Sequence, residues 1–161
     1  MTTFVIPHRL GGKTRLGDPG LAQAMLEDVK AVVPGALVVD APGGQGRAVA
    51  DALAELQGPV TILNSDVPCV TRAEVDALTA AAPAFVAADD GTTNALALRD
   101  ARDFQPLYGA GSAARFEQSL GATRLDLRGL RDDVDTWDDL ERVAGRVGAR
   151  TRERLAALAR V

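Results

Sequence analysis

At 161 residues, 47% of them apolar and 25% charged, the chain has material for one domain with a real core, and no apolar stretch is long enough to span a bilayer. A net charge of −4 argues against a general nucleic-acid surface, while a single cysteine and a single histidine leave an internal disulfide, a zinc site and a histidine-based triad without their usual groups. No charged leader precedes an apolar segment, so the expectation is a soluble cytoplasmic protein with neither membrane nor nucleic acid among its partners.

Phe4-Val5-Ile6 reads as a first strand, and Pro7 through Asp18 as a basic loop containing glycine. Asp18 caps a helix with Pro19 at its first position, whose face is Leu21, Met25, Val29, Val32 and Val33. Leu37-Val38-Val39 is expected as a second, buried strand, followed by the glycine loop Ala41 to Gly46 and a helix from about Arg47 to Leu56. Val60 to Leu63 is the next strand. Thr71 with Glu74 forms a capping box for a helix to about Ala81. Ala84 to Ala88 and Ala95 to Leu98 are strands on either side of a polar turn.

Ser112 starts a helix to about Leu120, Arg124 to Leu127 is a late strand, and Thr136 caps a helix from Trp137 to Val147 that Gly148 ends as its C′ residue. Residues 150–161 read as a C-terminal helix with two open fates: packing on the domain, or pairing with a second copy in a homodimer. Alternation of strands and helices implies an α/β domain over residues 1–161, with a parallel sheet covered on both faces and a ligand crevice at the strand carboxyl ends.

Two acidic elements sit at such strand ends, Asp66 in Asn64-Ser65-Asp66-Val67-Pro68 and the later Asp133-Val134-Asp135-Thr136. Either acid alone is as well explained by a turn or a helix cap. As a pair they are the oxygen ligands that would hold one magnesium ion against a nucleotide phosphate. Gly12-Lys13-Thr14 invites a P-loop reading, which fails because Pro7 stands where glycine is needed and Gly17 and Pro19 delay the helix. What remains is a loop whose Arg9, Lys13 and Arg15 could neutralise a triphosphate. Of the 18 basic residues only Lys13 and Lys30 are lysine, which gives Lys13 some weight. Tyr108-Gly109-Ala110-Gly111-Ser112 offers backbone N–H groups and a hydroxyl at a helix start to a phosphate or carboxylate, or is an ordinary cap; Thr92-Thr93-Asn94 is a polar turn or a second substrate clamp. Cys69, after Pro68 in an apolar stretch, reads as a small hydrophobe.

In order, these pieces resemble the guanylyltransferases of coenzyme F-420 biosynthesis (CofC/FbiD), relatives of the molybdenum-cofactor nucleotidyltransferases. The likeness rests on Lys13-Thr14-Arg15-Leu16, Asp66-Val67-Pro68, Thr92-Thr93-Asn94-Ala95-Leu96, Gly109-Ala110-Gly111-Ser112 and Asp133-Val134-Asp135-Thr136. It implies a single-domain, Rossmann-like fold of the GT-A type with a mostly parallel sheet. It also implies transfer of GMP from GTP to 2-phospho-L-lactate or phosphoenolpyruvate, with release of pyrophosphate.

The resemblance assigns Asp66 and Asp135 to magnesium and makes Lys13 and Arg15 catalytic. Arg9, Thr93, Gly109, Gly111 and Ser112 go to the phosphorylated acid, and Gly44, Gln45 and Gly46 to the nucleotide. In three places the chain departs from the family. Arg9 replaces an early lysine in a shortened loop, Gly44-Gln45-Gly46 replaces a Gly-Leu-Asn element near the base, and Trp137 follows the Asp-Thr pair. The alternatives are a molybdenum-cofactor-like or sugar-phosphate nucleotidyltransferase, whose Leu-Ala-Gly-Gly-x-Gly-x-Arg opening is missing, and a catalytically silent nucleotide-binding domain.

Overall fold

A computed structural model describes residues 1–9, 16–42 and 44–160. Six strands, β1 Thr3–His8, β2 Leu37–Asp40, β3 Val60–Leu63, β4 Ala84–Ala87, β5 Thr93–Leu98 and β6 Thr123–Arg124, form one mixed sheet in the order β2-β1-β3-β5-β4-β6. Helices α1 Pro19–Val32, α2 Gln45–Leu53, α3 Arg72–Ala80, α4 Ser112–Leu120, α5 Arg128–Arg131, α6 Trp137–Val143 and α7 Ala149–Ala159 surround it. None of them is long and apolar enough to cross a membrane.

The side-chain alternation of a strand sorts the core into two layers. Val5, Ile62, Phe85 and Leu96 point to one face, where α2 supplies Val49 and Leu53 and α4 supplies Phe116. Their chain neighbours Ile6, Leu63, Val86, Ala95 and Ala97 point to the other, against Leu26 and Val29 of α1 and Val75 and Leu78 of α3. Buried on both faces, β3 and β5 lack polar alternation, as central strands should.

β1 runs parallel to β2 and β3, and β4 to β6. Among the described strands only β5 runs against its neighbours, correcting the parallel sheet that alternation implied. The physical reason is length: too few residues separate Ala87 from Thr93 for a crossover, so β4 and β5 form a hairpin. The expected burial of β2 is also wrong. It is an edge strand, with Leu37 45% and Val38 42% exposed.

Boundaries move as well: β1 runs on through Pro7 and His8, which were expected in the loop, and β5 begins at Thr93, inside the expected turn. The helix expected from Arg47 to Leu56 runs from Gln45 to Leu53. The late strand is only Thr123–Arg124; Leu125 N still donates to Phe85 O at 2.9 Å, and the chain then leads through Leu127, the N-cap, into α5. The helix capped by Thr136 ends at Val143, and Gly148, rather than closing it, stands at the N-cap of α7.

A third apolar cluster, Leu16, Leu21, Met25, Cys69, Val134, Leu140, Val143 and Val147, binds α1 to the C-terminal segments. Here α7 finds its place on the chain's own surface. The buried Asp28 carboxylate of α1 accepts from Arg150 N at 2.9 Å and Thr151 N at 3.0 Å, satisfying the first turn of α7. Asp18, which caps α1 through Gly20 N at 2.8 Å, also accepts a forked bond from the Arg154 guanidinium.

Gly148 makes this docking close, for a Cβ there would overlap the Asp28 carboxylate, whereas one at Gly145 would meet nothing within 4 Å. Gly148→Ala should therefore cost about 1–3 kcal/mol by overpacking, and Gly145→Ala should be near neutral. Parallel thermal melts of the two variants decide it; equal melting temperatures would contradict the docking.

Candidate active site

The order β2-β1-β3 reverses the direction of chain progress beside β1, and at such a switch the loops leave the strand ends in opposite directions and open a crevice. A cleft of about 320 Å³ lies there, lined by Pro7 and His8 at the end of β1 and Arg9 after it, Gly44 and Gln45 at the start of α2, and Asn64, Ser65 and Asp66 after β3. His8 Nδ1 and Ser65 Oγ, 2.8 Å apart, join the two strand ends across its floor.

Asp66 does not stand with Asp135 alone. Carboxylate oxygens of Asp66, Asp133 and Asp135 all lie within 4.8 Å of one another. The backbone sets this arrangement: Val134 N donates to Asp66 O at 2.9 Å, and the Val134 side chain, fully buried, anchors the segment between its two acids. The capping box of α6 fixes the far side, since Asp139 Oδ2 accepts from Asp135 N at 2.9 Å and from Thr136 N at 3.0 Å.

Asp132, on the near side, is held by Arg146 at 2.6 Å and Arg131 at 3.3 Å. Burial raises its pKa, but those guanidiniums outweigh burial and keep the carboxyl below its ordinary value. Asp133 goes the other way. Burial first, then the Asp66 and Asp135 carboxylates, push it up to about 7 against the pull of an Asn94 hydrogen bond.

A chain of amides connects the acids to the glycine loop. Asn94 Nδ2 donates to Asp133 Oδ1 at 3.2 Å and Arg131 O at 3.0 Å. Asn64 Nδ2 donates to Thr93 O at 3.1 Å and lies 3.4 Å from Asn94 Oδ1, and Gln45 Nε2 donates to Asn64 Oδ1. Sequence reasoning missed the role of Asn64, and of Asn94 within the cluster; the available signal was a polar residue directly after the apolar run Val60–Leu63 and another inside β5.

The remaining expected residues are distributed as follows. Lys13 and Arg15 lie outside the described residues. Trp137 Nε1 donates to Leu16 O at 3.0 Å, so the first described residue after that stretch is tied to the start of α6. Gly46 lies against Pro106, a Cβ there coming within 3.2 Å of the proline ring. Thr93 and Ser112 sit one strand over from the cleft, and their hydroxyls, 2.9 Å apart and buried, bond each other.

The expected free donors at the start of α4 are partly taken. Ser112 N donates to Gly109 O at 3.0 Å and Ala113 N to Gly91 O at 3.1 Å. Gly109 and Gly111, at φ +112° and +75°, leave exposed backbone in a shape other residues rarely adopt.

Cys69 takes no part in this chemistry. It is 6% exposed, and burial pushes its thiol up to about 11. Alkylation by iodoacetamide at pH 7.5 should run at least ~100-fold slower on the folded chain than on the urea-unfolded one, because almost no thiolate forms. Comparable rates would show that the thiol is accessible and ionised.

No family model matches the chain. It is 40% identical over 115 residues to a phosphoenolpyruvate guanylyltransferase of Sphaerobacter thermophilus, a match covering 64% of this chain and 56% of that protein. The phosphoenolpyruvate guanylyltransferase of Streptomyces scabiei is 33% identical over 210 residues, covering 97% of this chain and 96% of its own length. Among solved structures, a Desulfovibrio desulfuricans G20 protein described as a nucleotide-diphospho-sugar transferase superposes with a TM-score of 0.67 at 16% identity, over 89% of this chain and 85% of its own. The 2-C-methyl-D-erythritol 4-phosphate cytidylyltransferase of Thermus thermophilus gives 0.54 at 15% identity, over 89% and 97%. At such identities the structural likeness bears on the fold, which is that of the nucleotide-diphospho-sugar transferases.

Proposed function

The chain belongs to the phosphoenolpyruvate guanylyltransferase family, and from that premise we propose that it joins GMP from GTP to the phosphate of phosphoenolpyruvate or 2-phospho-L-lactate. Pyrophosphate is released, and the reaction serves coenzyme F-420 biosynthesis in the cytoplasm. The observation that carries this reading is the cluster of Asp66, Asp133 and Asp135 beside the cleft bordered by Gly44 and Gln45.

The cluster fits a magnesium ion. Its donors are all carboxylate oxygens, the choice of a hard divalent cation, and mutual repulsion makes them a poor group to leave unneutralised. Asp66 and Asp135 would hold the ion, with Asp133 beside them. When bound, the ion supplies charge neutralisation on the triphosphate and polarises its α-phosphorus.

The chain's own residues contribute binding and alignment. Arg9 lines the cleft, and with Lys13 and Arg15 it supplies the positive charge that a polyphosphate calls for. The exposed backbone at Gly109 and Gly111 receives the phosphorylated acid, and Thr93 with Ser112 shapes that turn through their paired hydroxyls rather than touching substrate. A phosphate oxygen of the acid attacks the α-phosphorus, the bond to the bridging β-oxygen breaks, and pyrophosphate departs with the electron pair. No protein nucleophile is required, so the rate comes from in-line placement and charge. Since α7 is docked on α1, pairing with a second copy through that helix is not part of the proposal.

Asp66→Asn and Asp135→Asn should each lower magnesium-dependent pyrophosphate release by at least ~100-fold with little change in melting temperature, and Asp133→Asn by roughly tenfold. Near-normal release by the Asp66 or Asp135 variant at saturating magnesium would remove the metal site from the proposal.

Lys13→Ala and Arg15→Ala should each reduce kcat/KM by about tenfold or more while the thermal midpoint stays put, since a cation serving phosphate contributes to charge and not to the core. Unchanged kinetics in either variant would return that residue to a solvated role.

A further inference from the structure

We propose that Asn64 sets base specificity by locking the Gln45 amide in one orientation, with its carbonyl oxygen presented to the nucleotide as an acceptor. This deepens the guanylyl reading above and rests on it.

A side-chain amide has a donor end and an acceptor end of nearly the same shape, and neighbours decide which end points where. Main-chain carbonyls only accept, so they settle the question here. Arg131 O, at 3.0 Å, takes the amino end of Asn94, which turns the Asn94 oxygen toward Asn64. Thr93 O, at 3.1 Å, takes the amino end of Asn64, which turns the Asn64 oxygen toward Gln45. Gln45 must then meet it with its own amino group, as it does.

The result is a polarised chain of three amides that starts at fixed backbone carbonyls and ends on Gln45 Oε1. Among the described residues that oxygen accepts no hydrogen bond, and Gln45 lines the cleft. Guanine offers N1–H and N2–H donors on its pairing edge, where adenine offers the N1 lone pair and has its one donor, the N6 amino group, at the other end of the edge. A fixed carbonyl facing the N1 position therefore bonds guanine and repels the adenine lone pair. A freely rotating glutamine would serve either base by turning over. Discrimination thus comes from Asn64, which need not touch the base, and Asn64 is a positioning residue.

The test compares kcat/KM for GTP and ATP by pyrophosphate release. In Asn64→Ala the GTP preference should fall about tenfold through KM, as expected for one neutral hydrogen bond and one repulsion removed. Asn64→Asp, which still accepts from the Gln45 amino group, should retain the preference even if it lowers the melting temperature. Gln45→Met should lose the preference to the same extent, and adding Asn64→Ala to it should change the ratio no further.

Equal loss on both nucleotides in Asn64→Ala, or an additive loss in the double variant, overturns the proposal. An unchanged ratio in Gln45→Met does so even if Asn64→Ala fails to fold. Failure of the unaltered chain to use GTP is a separate outcome, and it would overturn the guanylyl reading itself.

Discussion

One backbone hydrogen bond, from Val134 N to Asp66 O at 2.9 Å, brings together the two acidic elements on which the site depends. Without it, the end of β3 and the segment before α6 have no reason to keep like charges within 4.8 Å. Burial first, and then the neighbouring carboxylates, raise the Asp133 carboxyl, so bringing the acids together carries a cost. Buried Val134, the capping box of α6 and the Asp132 ion pairs offset it by holding both sides of the segment. The apolar cluster formed by α1, α6 and Cys69 sits directly behind, so the acidic segment rests on packed side chains and not on an open loop.

The sheet order supplies the other half of the geometry. Because β1 lies between β2 and β3, the α1 and α2 connections leave on opposite faces, and the cleft between them needs no dedicated lid or second layer to exist. The antiparallel β5 adds something an all-parallel sheet could not. Reversal places its first residues, Thr93 and Asn94, at the same edge as the last residues of β3, so Asn64 and Asn94 meet there. The hairpin that departs from alternation is therefore what links the nucleotide side of the cleft to the acids.

Much of this was legible in the sequence because local signals and tertiary context agreed. Asp18 with Pro19, Thr71 with Glu74, and Thr136 each mark a helix start where it occurs. The Asp66 motif marked the right strand end, whereas Asp133-Val134-Asp135 follows the short helix α5 and not the strand expected before it. Misreadings arose where local pattern is silent about neighbours. Leu37-Val38-Val39 looks buried on composition, yet burial depends on a strand lying on each side, and β2 has only β1. Gly148 follows an apolar run as a terminator would, but its lack of a side chain serves the close approach of Asp28. Ser112 promised an outward hydroxyl, and the approach of β5 turned it inward onto Thr93. The amide chain was invisible for the same reason, since its members come from three separate stretches.

The account stands or falls on the bond that is made. Phosphorus NMR of the chain with GTP, phosphoenolpyruvate and magnesium should show free pyrophosphate and a new pair of coupled diphosphate signals, both absent without magnesium. GTP that persists unchanged, or that decays to GDP and orthophosphate with no new diphosphate, would contradict guanylyl transfer at this site.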